Sequence, residues 1–74
     1  MTKVYNEITV KTTGRNYDFI GTVENNLNKA INICFNDDEI ITIAPGDWCG
    51  LLATDEDAEQ LNKLLNGNFF IEEA

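Results

Sequence analysis

Apolar and polar residues alternate along the first part of the chain, a pattern typical of β-strands. Residues 3–11 carry their β-branched apolar side chains on one parity, at Val4, Ile8 and Val10. A period of two with β-branched residues predicts a strand with one buried face. We therefore expect residues 3–11 to form one half-buried strand.

A second alternating segment follows at residues 17–24 and predicts a partner strand. Its shared face carries Tyr17, Phe19 and Val23, while Gly21 interrupts the pattern. A glycine inside a strand indicates a bulge or a close backbone approach. The intervening residues 12–16 include a glycine and an asparagine and predict a turn. The two segments therefore predict a β-hairpin.

A second hairpin is predicted around an acidic tip. Residues 30–35 place Ile31, Ile33 and Phe35 on one face, and the segment IITI returns after the sequence NDDE. A three-residue loop at 37–39 would put Phe35 near Ile41 and Ile33 near Ile43. A two-residue loop would instead align Phe35 with Ile40.

These two strands carry apolar residues on both faces, counting Ala30, Cys34 and Ile40. Strands with two apolar faces are buried on both sides. One helix and a thin sheet cannot cover two faces. The pattern therefore predicts either a second sheet opposite, forming a small sandwich, or a partner that covers the remaining face.

The only tryptophan, Trp48, follows a predicted type II turn at residues 44–47, with Pro45 and Gly46 in the central positions. A short strand over Trp48–Leu52 is expected next. Two interpretations of Trp48 remain open. The ring either closes the core over the turn or stands exposed as an anchor for a partner, since tryptophan is enriched at binding hot spots.

One helix is predicted, beginning after the N-cap Thr54 and ending at Asn66, with Gly67 as the left-handed stop. Its apolar stripe comprises Ala58, Leu61, Leu64 and Leu65. A last strand follows within the sequence NFFIEE. The predicted fold is α+β and mainly β: one compact domain over residues 1–74, with a small antiparallel sheet or sandwich of five to six strands and one helix in the C-terminal half. The order is ββββ(β)αβ.

The charge is unevenly distributed along the 74 residues, whose net charge is −8. Residues 1–36 have a net charge of +1, whereas residues 37–74 carry ten acidic residues and one lysine, a net of −9. Such acidity argues against binding nucleic acid through its phosphates. It favours solubility, a basic protein partner, or mimicry of nucleic acid.

The chain contains no histidine and no serine, so nucleophilic systems of the Ser-His or Cys-His type are excluded. We expect no enzyme activity, no cofactor and no metal. The sequence NDDE lacks the spacing of a calcium loop. Two cysteines, Cys34 and Cys49, are too few for a disulfide framework. The first residues lack the apolar segment of a signal peptide, and no apolar run is long enough for a membrane span, so we expect synthesis in a cytoplasm without membrane contact.

The passage VENNLNKAINICFNDDEIITIAPGDWCGLL, followed by AEQLNKLLNGNFFIEE, resembles small β-rich structural proteins of bacteriophage particles. The resemblance covers residues 23–73. It implies a structural or auxiliary component of the virion, associated with capsid or tail and made in the host cytoplasm, and it identifies no site residues.

Two functions are therefore expected, both through protein contacts and without direct nucleic-acid binding. The first is a virion component that self-assembles or binds other virion proteins. The alternative is a small acidic inhibitor of a host nucleic-acid enzyme or defence system, of the anti-CRISPR or anti-restriction type, acting on a basic protein. The candidate partner-binding residues are Trp48, Asp37, Asp38, Glu39, Asp55, Glu56, Asp57 and Glu59.

Overall fold

The chain folds into two antiparallel sheets and one helix. A computed structural model describes residues 2–16, 18–36 and 39–74, with side chains for all of these except residues 13–16. The four-stranded sheet has the order β1-β2-β3-β6, and the three-stranded sheet has the order β5-β4-β7. The elements are β1 (Thr2–Val4), β2 (Ile8–Asn16), β3 (Phe19–Asn25), β4 (Ile31–Cys34), β5 (Ile40–Ile43), β6 (Trp48–Leu52), α1 (Asp55–Asn66) and β7 (Phe70–Glu73).

The two sheets and the helix bury their apolar faces in one shared core. The four-stranded sheet contributes Ile8, Val10, Val23 and Leu51; the three-stranded sheet and the turn after β4 contribute Ile31, Ile33, Phe35 and Ile43; the helix contributes Leu61 and Leu64. The α+β, mainly β class is thereby confirmed, and the second sheet covers one face of β4 and β5. The described residues contain seven strands, one more than the upper expectation.

The extra strand arises because the segment predicted as one strand over residues 3–11 folds back on itself. The amide of Tyr5 donates to the carbonyl of Ile8 at 2.8 Å, which closes a turn between β1 and β2. Val4 pairs with Thr9 across the two strands and is 72% exposed, whereas Ile8 and Val10 are fully buried. The predicted common face for Val4, Ile8 and Val10 is therefore wrong.

The predicted hairpin between the next two segments forms, but its turn lies later than expected. Strand β2 continues through residues 12–16, and Asn16 pairs with Phe19. The register shifts between Thr12 and Asn16, so the glycine-containing segment is an irregularity within the strand and not the turn. The expectation for Tyr17 lies outside the described residues.

Gly21 has the close contact that its position in β3 predicts. A Cβ atom at this position would lie 2.7 Å from the carbonyl oxygen of Lys11 and 3.1 Å from the Leu61 side chain. The register between β3 and β6 also shifts between Phe19 and Gly21. The missing side chain therefore lets the helix residue Leu61 pack directly on the sheet.

The hairpin of β4 and β5 forms with a register that neither predicted loop gives. Ile33 pairs with Ile41 and Ile31 pairs with Ile43. The amide of Phe35 donates to the carbonyl of Glu39 at 2.9 Å, so the same register continues beyond β4 to Phe35 and Glu39. The three-residue loop at 37–39 is wrong by two positions in register, although the same side chains still share the inner face.

The helix begins and ends at the predicted residues. The Thr54 hydroxyl accepts from the amide of Asp57 at 3.2 Å, and Gly67 ends the helix with φ of 75°. The Tyr5 hydroxyl donates to the carbonyl of Leu64 at 2.7 Å, and its ring contacts Phe69 edge to face at 5.1 Å. These contacts hold the end of the helix against the turn between β1 and β2.

One buried amide joins two of the three places where the chain crosses between the sheets. Asn25, at the end of β3, is 2% exposed. Its Nδ2 donates to the carbonyls of Lys29, Ile43 and Ala44 at 2.8, 3.2 and 3.1 Å. Its Oδ1 accepts from the amide of Leu27 at 2.9 Å. The side chain therefore ties the β3–β4 connection to the end of β5.

We expect Asn25→Ala to lower the free energy of unfolding by about 2–4 kcal/mol, because buried carbonyl groups lose their donor and a cavity remains. Urea denaturation followed by circular dichroism measures the loss. The control is Asn28→Ala, an exposed asparagine in the same connection, for which we expect about 0.5 kcal/mol or less. Equal losses for the two variants would contradict the role of the Asn25 amide.

Candidate partner-binding site

Trp48 lies on the surface and does not close the core. The turn before it forms as predicted: Gly46 has φ of 67°, and the amide of Asp47 donates to the carbonyl of Ala44 at 3.1 Å. Strand β6 then directs Leu51 into the core, so the residues of opposite parity face outward. Trp48 is accordingly 57% exposed. Of the two interpretations of this ring, the structure excludes the core plug and leaves it available for contacts.

Phe19 lies on the same outer face because of a bulge in β3. Regular alternation would place Phe19 on the inner face with Val23, as the sequence pattern predicts. The register shift between Phe19 and Gly21 accommodates Ile20 as an extra residue, and Ile20 packs partly against the core. A bulge can re-aim a side chain in this way. Phe19 consequently pairs with Leu52 and is 41% exposed.

Gly50 lies beneath these two rings. A Cβ atom at Gly50 would lie 2.6 Å from Cε1 of Phe19 and 3.2 Å from Cζ3 of Trp48. Both rings therefore lie close to the outer side of Gly50, an arrangement that shields a glycine in a strand. Leu52, 44% exposed, continues the same surface. We call Phe19, Trp48 and Leu52 the aromatic patch.

The helix brings acidic residues to the end of this patch. Asp57 accepts from the amide of Leu52 through Oδ2 at 2.7 Å, which fixes the first helical turn beside the end of β6. Asp55, Glu56 and Glu59 are exposed on the same helix. Asp57 thus has a structural role in addition to its charge, and the other three carboxylates face solvent.

The acidic tip between β4 and β5 is described only in part. Asp37 and Asp38 lie outside the described residues. Glu39 is exposed, and its carboxylate accepts from Nε2 of Gln60. Since Glu56 precedes Gln60 by one helical turn, Glu39 and Glu56 lie on neighbouring parts of one surface.

The two glutamates of β7 face opposite sides of the strand. Glu72 contacts Cys34, whereas Glu73 pairs with Lys29, which lowers the pKa of the Glu73 carboxyl by hydrogen bonding and by charge attraction. Successive residues of a strand point to opposite faces. Glu72 and Glu73 therefore do not extend a single acidic array.

A second apolar surface lies on the outer face of the three-stranded sheet. Cys34 pairs with Ile40 on one side and with Phe70 on the other. Ile40 is 57% exposed and Phe70 is 53% exposed, while Cys34 between them is buried. We call Ile40, Cys34 and Phe70 the outer row. It is the second apolar face that the sequence pattern of β4 and β5 indicated.

Both thiols are free and lie on different faces, Cys34 on the outer row and Cys49 against the core. Burial raises the pKa of the Cys34 thiol, and the Glu72 carboxylate raises it further. Burial, followed by the Asp57 charge, raises the pKa of Cys49. Raised thiol pKa values disfavour the reactive thiolate. Neither cysteine has the environment of a nucleophile.

Within the described part of the chain, no group of three or more His, Cys, Asp or Glu side chains is placed to hold a metal ion. A search of the same residues found no helix with the length and apolar character needed to cross a membrane. Comparisons with protein-family models, with curated proteins and with solved structures found no match to this chain.

The sequence singles out Trp48 and places Cys34 and Ile40 on a second apolar face. It does not indicate Phe19, Leu52 or Phe70 as contact residues, and alternation assigns Phe19 to the inner face. The sequence held one signal for the outer row, the apolar residues on both parities of β4 and β5. Gly50 gave no signal, because its role depends on a ring from a neighbouring strand.

We expect Glu72→Gln, made in a Cys49→Ala background, to speed the reaction of Cys34 with a thiol reagent at about pH 8. Removing the carboxylate lowers the raised pKa of Cys34, so more thiolate is present at the same pH. Because burial is the larger cause, the rate stays below that of the unfolded chain. The reaction rate is measured by absorbance at several pH values.

The matched control for this measurement is Glu73→Gln, which removes the neighbouring carboxylate on the opposite side of β7 and should leave the Cys34 rate unchanged. If both variants changed the rate equally, the specific contact between Glu72 and Cys34 would be refuted.

Proposed function

We propose that this chain is a non-enzymatic protein–protein interaction module that serves as a small structural or auxiliary component of a bacteriophage particle. It is made in the host cytoplasm and binds capsid or tail proteins, or further copies of itself, without direct contact to nucleic acid or membrane.

One observation carries this proposal: large apolar side chains are exposed on both outer faces of the molecule. The aromatic patch lies on the outer face of the four-stranded sheet, and the outer row lies on the outer face of the three-stranded sheet. Clustered exposed apolar groups are typical of interaction surfaces. Two different contact surfaces on one small domain suit head-to-tail or bridging contacts, which generate extended assemblies.

The core closes between the two sheets and the helix without a partner. Ten buried apolar residues of the described chain form this cluster. No buried side-chain nitrogen or oxygen among the described residues lacks a hydrogen-bond partner. On the outer faces, Trp48, Ile40 and Phe70 each keep more than half of their surface exposed to solvent.

The uneven charge and the sequence resemblance give further support. The +1 and −9 halves of the chain favour contacts between surfaces of unlike charge. The missing histidine and serine leave few groups for catalysis, which accords with a binding role. Residues 23–73 resemble small virion proteins, and for this reason we propose the phage particle as the assembly that the chain joins.

We expect Phe70→Thr to weaken binding to purified particles by about tenfold, because it removes an exposed aromatic anchor from the outer row. Co-sedimentation of labelled protein with particles measures the affinity. Val4→Thr is the control, since Val4 is an exposed apolar residue apart from both surfaces and should bind normally. A protein that stays monomeric at about 1 mM and is absent from particles by mass spectrometry would refute the virion role.

A second candidate function is an acidic inhibitor that occupies a basic site on a host nucleic-acid enzyme. The contact of Glu39 with Gln60 favours it, because this contact places Glu39 beside the part of the helix that carries Glu56. The opposed directions of Glu72 and Glu73 count against a longer array.

For this second candidate we expect Glu56→Gln and Glu39→Gln to weaken binding to the enzyme, and added salt to weaken it steeply. Glu73→Gln is the control, because Glu73 already pairs with Lys29. Binding that is independent of salt would exclude this candidate and leave the virion role untouched.

A further inference from the structure

We propose that the aromatic patch binds a cationic segment of a partner protein, with an arginine or lysine side chain lying over the ring of Trp48. The inference rests on the proposed function as a protein-binding module, and it adds the chemical class of the partner at one of its two apolar surfaces.

The form of the patch suits a flat cationic group. Because Gly50 has no side chain, the Phe19 ring lies over its backbone beside Trp48, and atoms of both rings lie within 3.2 Å of the position that a Cβ atom would take. The two neighbouring rings thus form one low aromatic surface. Trp48 is 57% exposed and Leu52 is 44% exposed, so both present apolar surface to solvent. A tryptophan face is the strongest of the aromatic acceptors for cation–π contacts, and arginine stacks on it most often.

Carboxylates stand at both ends of the patch. Asp47 directly precedes Trp48, is exposed, and accepts from the Trp48 amide through Oδ1 at 2.8 Å. At the other end, Asp57 holds the first turn of the helix to Leu52, and this turn also carries Asp55. Asp18, beside Phe19, is exposed and accepts from the amide of Ala53 through its backbone carbonyl.

The lysine beside the patch does not cancel this charge. Among the side chains that the structure describes, Lys11 lies on the same outer face and pairs with Glu24 at 3.0 Å. Glu24 in turn lies opposite Trp48 in the sheet register. Of the charged side chains described, those left at the ends of the patch are negative, so they attract a cation and repel an anion.

The same electrostatics argue against a second copy that meets this patch with its own aromatic patch. A copy bringing this face would bring the same carboxylates, and each chain carries a net charge of −8. Like charges placed opposite each other oppose association. A partner with basic side chains between apolar ones matches both the rings and the acids.

The experiment uses the full chain and a short synthetic peptide that alternates arginine with threonine. A second peptide carries citrulline in place of arginine, which keeps the shape and removes the charge. Trp48 is the only tryptophan, so its fluorescence reports directly on the patch. We expect the arginine peptide to change the emission saturably, and the citrulline peptide to bind about threefold to tenfold more weakly.

Three variants separate the patch from other surfaces, with binding measured by amide chemical shifts. Trp48→Leu should abolish the preference for arginine over citrulline. Asp47→Asn, which retains an oxygen acceptor for the Trp48 amide, should weaken binding of the arginine peptide about twofold to fivefold. Val4→Thr, in β1 at the edge of the four-stranded sheet opposite β6, should leave binding unchanged.

Equal affinity for the arginine and citrulline peptides, or no binding of either, would overturn the inference. So would a change in Trp48 emission with the concentration of the protein alone, because the patch would then be occupied by a second copy. These failures differ from failure of the proposed function: a protein found in particles that ignores the arginine peptide loses only this inference, whereas absence from particles removes the virion role and leaves the peptide result standing.

Discussion

The side-chain amide of Asn25 is the interaction on which the rest of the structure depends. The chain crosses from the four-stranded to the three-stranded sheet after Asn25 and returns after Ile43, and this one buried group bonds to both crossings. The backbone amide of Asn25 also donates to the carbonyl of Asp47 at 2.9 Å. The same residue thus fixes the first position of β6, where Trp48 stands. This bond fixes the backbone that carries the exposed Trp48 ring, and a fixed backbone positions a contact residue more precisely than a loop does.

Features that depend on short-range chemistry followed from the sequence. The Thr54 cap, the stop at Gly67 and the turn at Gly46 each require one residue type in one backbone conformation, so neighbouring residues suffice to place them. The inner faces of β4 and β5 followed from alternation. The apolar residues on both parities of β4 and β5 predicted either a second sheet or a partner; the second sheet is present and covers the inner face, while Ile40 and Phe70 on the outer face stay exposed. The class of fold could therefore be predicted from local patterns and one packing argument.

The points at which a strand turns back or bulges could not be predicted. Alternation assigns Val4 and Phe19 to inner faces, yet a turn before Ile8 and a bulge at Ile20 put both outside. Neither the turn nor the bulge changes the composition or the average hydropathy of the chain. Each depends on which cross-strand pairing buries more apolar surface. Of the aromatic patch, the sequence therefore indicated only Trp48, since the other members are brought to it by pairing between distant strands. The position of Asp37 and Asp38 relative to the helix acids stays a prediction.

The pairing of β4 with β5 has a consequence for how this protein can vary between related chains. Its register differs from the expected one by two residues, and the same isoleucines still face inward. A strand has a repeat of two, so a shift of the pairing by two residues keeps the same side chains inward, whereas a shift by one turns them outward. Substitutions in a related chain that slide this pairing by two residues would therefore leave the interior intact, whereas a slide by one would expose it.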